Sequence, residues 1–146
     1  MKTTASVEIE HSIETVFRYT NEEVPQWSLT VIEDRPTNDL RGLGATFLCV
    51  TEEHGRRMEF DGEVTLWDPP HRSAVELIGK QFDISAEYLF EDLSGRTRVT
   101  QHSSVRFKGF TKILMLIVGP LIAKQGLDAV NRELQSLKAK LESQTH

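Results

Sequence analysis

"FKGFTKILMLIVGPLIAKQGLDAVNRELQSLKAKLE" spans Phe107 to Glu142, and its reading decides the fold. Leu127, Val130, Leu134, Leu137 and Leu141 step by three and four, as one apolar face of an α-helix does. The same steps run back in phase through Ala123, Pro120, Leu116 and Ile113, so the spacing predicts one long C-terminal helix burying a continuous stripe. Pro120 has no amide N–H and crowds the carbonyl of Leu116. With Gly119 beside it, a kink is expected there rather than a stop. Between Ile113 and Ala123 no side chain is charged or a conventional hydrogen bonder. As helix this run covers about 16 Å, whereas a bilayer core needs about 20 residues, so no transmembrane segment is expected. Leu114, Met115, Ile117, Val118 and Leu121 widen the apolar surface beyond the stripe. Something must cover them: the short helices near Trp27, a ligand, a second copy or a membrane surface.

Upstream of this helix the pattern changes to period two. Ala5, Val7 and Ile9 alternate with polar residues, which predicts a half-buried first strand. Ser12 is placed to cap a helix over "IETVFRYT", and a second short helix includes "EEVPQW", with Pro25 separating the two. Further strands are predicted over 29–35, 44–53, 57–67, 72–78, 81–91 and 96–107, punctuated by "NDLRGLG", "EHG", "DPPH", "IGK" and "DLSG". Alternation turns Met58, Phe60, Gly62, Val64 and Leu66 to one face, together with Phe82, Ile84, Ala86, Tyr88 and Phe90, and with Val99, Gln101, Ser103, Val105 and Phe107. An antiparallel sheet with one apolar face, two short helices after strand 1 and a long helix across it make an α+β layer fold, a single domain over 1–146.

The 146 residues carry a net charge of −5. Lysines and arginines are dispersed, which speaks against nucleic acid as a partner. Cys49 is the single cysteine, in an apolar strand context where a thiol behaves as a small hydrophobe. The N-terminus lacks the apolar core of a signal peptide, so a cytoplasmic location is expected.

The order of elements, with "VEIEHSIETVFRYT" at the first strand and helix, Trp27, "GLGATF" at 42–47, "GEVTLWDPPHR" at 62–72, "GRTRVTQHSSV" at 95–105 and the final "LQSLKAKLE", resembles the START/polyketide-cyclase superfamily (SRPBCC), the helix-grip fold of birch-pollen-allergen-like proteins. The resemblance implies a curved antiparallel sheet of about seven strands wrapped around the C-terminal helix. It also implies a cavity between them for a lipid, sterol, polyketide or similar apolar ligand. That superfamily has no common catalytic residue, so the chemistry stays open.

Standard catalytic signatures are missing: no GxSxG, HExxH or CxxC occurs, and "GLG" at 42–44 lacks the setting of a dinucleotide loop. No cofactor is implied. His11, His54, His71, His102 and His146 show no metal-ligand spacing, and no metal is expected. Glu52, Glu53, Glu59, Glu63, Asp83, Glu87, Glu91 and Asp92 read as solvated charges at turns or on the polar sheet face. Gln101 and Ser103 stand on the inward face, where they either bond to each other, to Tyr88 or to water, or orient the polar end of a ligand. Trp27, Phe60, Phe82, Tyr88, Phe90, Gln101, Ser103, Met115 and Leu116 are the candidate ligand-binding residues. The leading reading is a carrier or binder of a small apolar ligand. The second is a cyclase or dehydratase in which Tyr88, Gln101 or Ser103 polarises a carbonyl, although no general base is evident on the inward faces. The third is an interaction module or homodimer using the apolar 113–122 helix surface.

Overall fold

A computed structural model describes residues 1–144, with the side chains of 118–123 outside the description. The elements are β1 (Lys2–Ile9), α1 (Ile13–Glu22), α2 (Val24–Trp27), β2 (Val31–Pro36), β3 (Thr46–Glu53), β4 (Arg56–Asp68), β5 (Arg72–Ile78), β6 (Phe82–Asp92), β7 (Thr97–Phe107) and α3 (Gly109–Glu142). The strands form one curved antiparallel sheet in the order β1-β7-β6-β5-β4-β3-β2, the helix-grip arrangement. Chain neighbours from β2 to β7 pair as a meander, and β1 closes onto β7. Ser12 caps α1 as expected: its Oγ accepts from the Thr15 amide at 3.4 Å.

The core sits at one end of this sheet. Leu134, Leu137 and Leu141 of α3 pack with Val7 and Ile9 of β1, Val16 and Phe17 of α1, Trp27, Phe90 and Val99. Phe17 stands edge-on to both Trp67 and Phe90, with ring centroids 5.0 and 5.1 Å away. Polar contacts fasten the same end of the helix: His11 Nε2 meets the Leu141 carbonyl at 2.7 Å, Glu142 accepts the Glu10 amide at 3.0 Å, and Lys138 reaches the Glu8 carbonyl. His11 is therefore tied to the helix C-terminus, a role its turn position alone does not reveal.

Two expectations need correction. A bulge between Val64 and Leu66 shifts the register of β4 on β5, so Leu66 pairs with Ala74 on the outer face and Trp67, opposite Ser73, points inward. One extra residue reverses every side chain beyond it. The second concerns α3, whose backbone is helical from Gly109 to Glu142, through Pro120. The apolar stripe does not stay buried along it: Ile113 is 60% and Leu116 80% exposed, while Thr111 and Met115 are half-buried. The second half packs Val130 and buries Leu134, Leu137 and Leu141 of this same stripe, so what changes along the helix is the cover and not the periodicity. The kink expected at Gly119-Pro120 lies outside the described residues.

Glycine has a specific use on the inner face. At Gly62, opposite Phe47, an added Cβ would lie 2.4 Å from the Phe47 ring. The ring occupies the space that a side chain at this position would need.

Candidate functional site

Register assigns the concave face residue by residue. Ser73 of β5, Tyr88 of β6 and Gln101 of β7 are directly paired neighbours and form a polar row across three strands. Beyond it lie Val75, Ala86 and Ser103, then Gly62, Leu77, Ile84 and Val105, then Phe60, Phe82 and Phe107. The aromatic row is continuous: Phe60 meets Phe82 at 5.6 Å between centroids, and Phe82 meets Phe107 at 5.9 Å. Val75, Leu77, Ile84, Val105 and Phe107 are only half-buried, so this floor is open on its concave side.

The polar row is under-satisfied. Ser73 Oγ and Gln101 Oε1 are buried without a hydrogen-bond partner among the described residues, and so is Thr51 Oγ1 on the same face of β3. Such groups ordinarily cost about 1–3 kcal/mol each when buried unpaired. The Tyr88 hydroxyl is pushed well above its ordinary range, first by burial and then by the negative charges of Glu133 and Asp34. Tyr88 thus stays a neutral donor.

Two carboxyls join this face, contrary to the expectation that none stands on the inward side. Asp34 of β2 pairs with Cys49 of β3, both facing in. Burial raises the Asp34 carboxyl to about 6, and its Oδ1 has no partner among the described residues. The Cys49 thiol beside it is pushed up to about 12, chiefly by burial and then by the charge of Asp34, so it behaves as a buried hydrophobe. Glu133 of α3 accepts from Ser28 Oγ at 2.6 Å and from the Leu29 amide at 2.7 Å, and burial raises its pKa. Ser136 Oγ donates to the Trp27 carbonyl at 2.6 Å. Together they tie the segment between α2 and β2 to the long helix. Because burial opposes the Glu133 charge, the net contribution of its two charge-assisted bonds is modest. Glu133→Ala is expected to lower stability by about 1 kcal/mol, a Tm loss of about 4 °C, with faster amide exchange over 28–31. An unchanged exchange pattern there would show that Glu133 does not hold this segment.

The sequence-derived candidates divide into three groups. Tyr88, Gln101, Ser103, Phe60 and Phe82 line the concave face. Trp27 and Phe90 belong to the core, Trp27 donating from Nε1 to the Thr20 carbonyl at 3.2 Å and Phe90 packing on Phe17. Met115 is half-buried, whereas Leu116 projects away from the protein. Sequence reading missed Asp34, Glu133, Thr51 and Ser73. Glu133 had a signal, since it lies three residues after Val130 and four before Leu137, within the stripe's own face. Asp83, expected to be solvated, is buried at the sheet margin. Lys108 Nζ at 2.7 Å holds its carboxyl below the usual range, and Arg106 stands at 3.5 Å.

This combination, an apolar concave sheet floor with a polar row at one end and a long helix gripping the sheet, defines a helix-grip protein. Residues 1–142 match the family described as polyketide cyclase / dehydrase and lipid transport, and the chain belongs to that family. No curated protein sequence matches it. Among solved structures it is similar to a START superfamily protein from Mycobacterium smegmatis, with 17% identity, a TM-score of 0.83 and 99% of each chain covered. It is also similar to the protein TTHA0849 from Thermus thermophilus, at 16% identity and a TM-score of 0.82, with both chains fully covered (100%). The ZhuI aromatase/cyclase from Streptomyces sp. R1128 shares 11% identity with a TM-score of 0.76, over 97% of this chain and 93% of that one. At these identities the likeness concerns the fold. Among the described residues no helix is long and apolar enough to cross a membrane.

Proposed function

We propose that the protein binds one small, mostly apolar molecule carrying a polar end, with its body on the Leu77–Ile84–Val105 and Phe60–Phe82–Phe107 rows and its polar end at Ser73, Tyr88 and Gln101. A lipid or polyketide-like compound fits this description, and the family's description as cyclases, dehydrases and lipid transporters supports that class. The carrying observation is the pair of buried, unpartnered oxygens of Ser73 and Gln101 flanking Tyr88 at the margin of an apolar floor. A bound polar group supplies the missing partners, which is how small-molecule sites fix orientation. The test combines native mass spectrometry of gently purified protein with thermal shifts against a fatty acid, a sterol and a hydroxyanthraquinone. At least one class is expected to raise Tm. Gln101→Leu is expected to weaken that ligand about tenfold while leaving the unliganded protein as stable or more so, because the orphaned amide oxygen is removed. Absence of any co-purified mass together with no shift from any compound would remove the proposal.

Catalysis is the second reading, and the observation that favours it is Asp34. A carboxyl raised to about 6 on the concave face exchanges a proton near neutral pH, as dehydration and cyclisation of a polyketone require. Turnover of a poly-β-ketone thioester lost in Asp34→Asn with ligand affinity retained would establish it. Equal turnover in both proteins would leave binding as the whole function.

A further inference from the structure

The first half of α3 turns its apolar face outward. Phe110, Ile113, Leu114 and Ile117 fall at i, i+3, i+4 and i+7, one face of the helix, with Leu116 beside them. Their exposures run from 45% at Leu114 through 60% at Ile113, 75% at Ile117 and 78% at Phe110 to 80% at Leu116. Five large apolar side chains on adjacent helical turns form a patch of the kind that marks an interaction site. Its opposite side, through Thr111 and Met115, is half-buried. The patch is therefore not a strip of core that lost its cover.

Charge identifies what covers it. The chain as a whole is acidic, with a net charge of −5, yet no aspartate or glutamate occurs between Leu93 and Leu127. Arg96, Arg98, Arg106, Lys108, Lys112 and Lys124 all lie in that interval. The three arginines are matched by Glu8, Glu76, Asp83 and Glu91 on neighbouring strands, and Lys108 is held by Asp83. Lys112 and Lys124 are exposed at the two ends of the apolar run. Lys80 is exposed in the β5–β6 turn, whose Gln81 carbonyl accepts the Lys108 amide at 2.9 Å beside the start of α3. A second copy docking here through a two-fold axis would set one lysine-bearing face against another, like charge against like. An anionic lipid surface meets both features at once, its headgroups facing the lysines and its acyl boundary taking up the apolar face.

We propose that this face of α3 docks in the interface of a bilayer containing anionic lipid. The inference does not require that the concave face holds a ligand, and its test reads membrane association alone. The full-length protein is sedimented with phosphatidylcholine vesicles, with and without phosphatidylserine, at low and high salt. Association is expected with the phosphatidylserine vesicles, weakened by salt. Lys112→Gln and Lys124→Gln are each expected to reduce it about fivefold. The double variant Leu116→Asp/Ile117→Asp is expected to abolish it with the circular dichroism spectrum and Tm unchanged, since both side chains already stand in water. Failure to sediment with either vesicle overturns the proposal. So does equal sedimentation with and without phosphatidylserine. A concentration-dependent dimer that the double variant dissociates would likewise overturn it and assign the face to a second copy.

Discussion

Leu137→Ala is expected to lower the unfolding free energy by about 3–4 kcal/mol, read as an earlier urea midpoint at unchanged slope. Leu137 is fully buried at 0% exposure, and its cluster joins α3 to β1, α1, Trp27 and Phe90. Truncation removes the transfer free energy of the side chain, and the rigid surroundings leave a void in addition. The neighbours cannot collapse to fill it, because the helix is fixed on both sides of the site: Ser136 holds Trp27, and Lys138 and Glu142 hold Glu8 and Glu10. Against a total of about 5–15 kcal/mol for a native domain, this is a large fraction. The informative comparison is Leu116→Ala, in the same helix and the same sequence stripe, where an 80% exposed side chain leaves almost nothing to lose. A similar cost at both positions would mean that the first half of α3 packs on the sheet after all.

That contrast also marks how much was legible in the sequence. The period-two alternation of Phe82–Phe90 and Val99–Phe107 identifies inward and outward faces because adjacent strands leave each side chain only two directions. The C-terminal half of α3 is equally legible, since its leucines have one apolar face to choose. Its first half is not, because apolar residues surround the helix there and periodicity carries no phase. Leu66 departs from the alternation for a different reason: the bulge adds a residue without changing composition. Asp34 was hidden by the irregular pairing of β2, which shifts register between Val31 and Glu33, so alternation along "VIEDRP" does not reveal which acid faces inward. The polar row could be seen only in part. Gln101 and Tyr88 stood out among apolar neighbours, but Ser73 joins them only through the pairing of β5 with β6.

Asp34 gives the second large effect, and its direction is opposite to that of a salt-bridged carboxylate. Burial raises its pKa from 3.8 to about 6 in the folded protein, the Cys49 thiol offsets this only in part, and Oδ1 has no partner among the described residues. Below pH ~4 the group is protonated in both states and contributes nothing to the difference. Between ~4 and ~6 the folded chain binds more protons than the unfolded one, so stability falls as pH rises through that window. Above it the loss is complete. A shift of this size corresponds to at most about 3 kcal/mol, and the partial opening of the site to solvent reduces it to about 2 kcal/mol. Asp34→Asn keeps the shape and removes the charge, so it is expected to stabilise the protein by about 2 kcal/mol at pH 8 and by little at pH 4, as read by urea unfolding at both values. Glu133 is also raised by burial and contributes a slope of the same sign, so the measurement that matters is the difference between the two proteins at each pH. A constant difference across the range would show that Asp34 is ionised without penalty. If the variant is stabilised at pH 8 and still binds its ligand, then a chain that keeps an aspartate at this position is bearing about 2 kcal/mol of instability at neutral pH. Folding gives no reason for that, and this is the outcome that the catalytic reading of Asp34 proposed above requires.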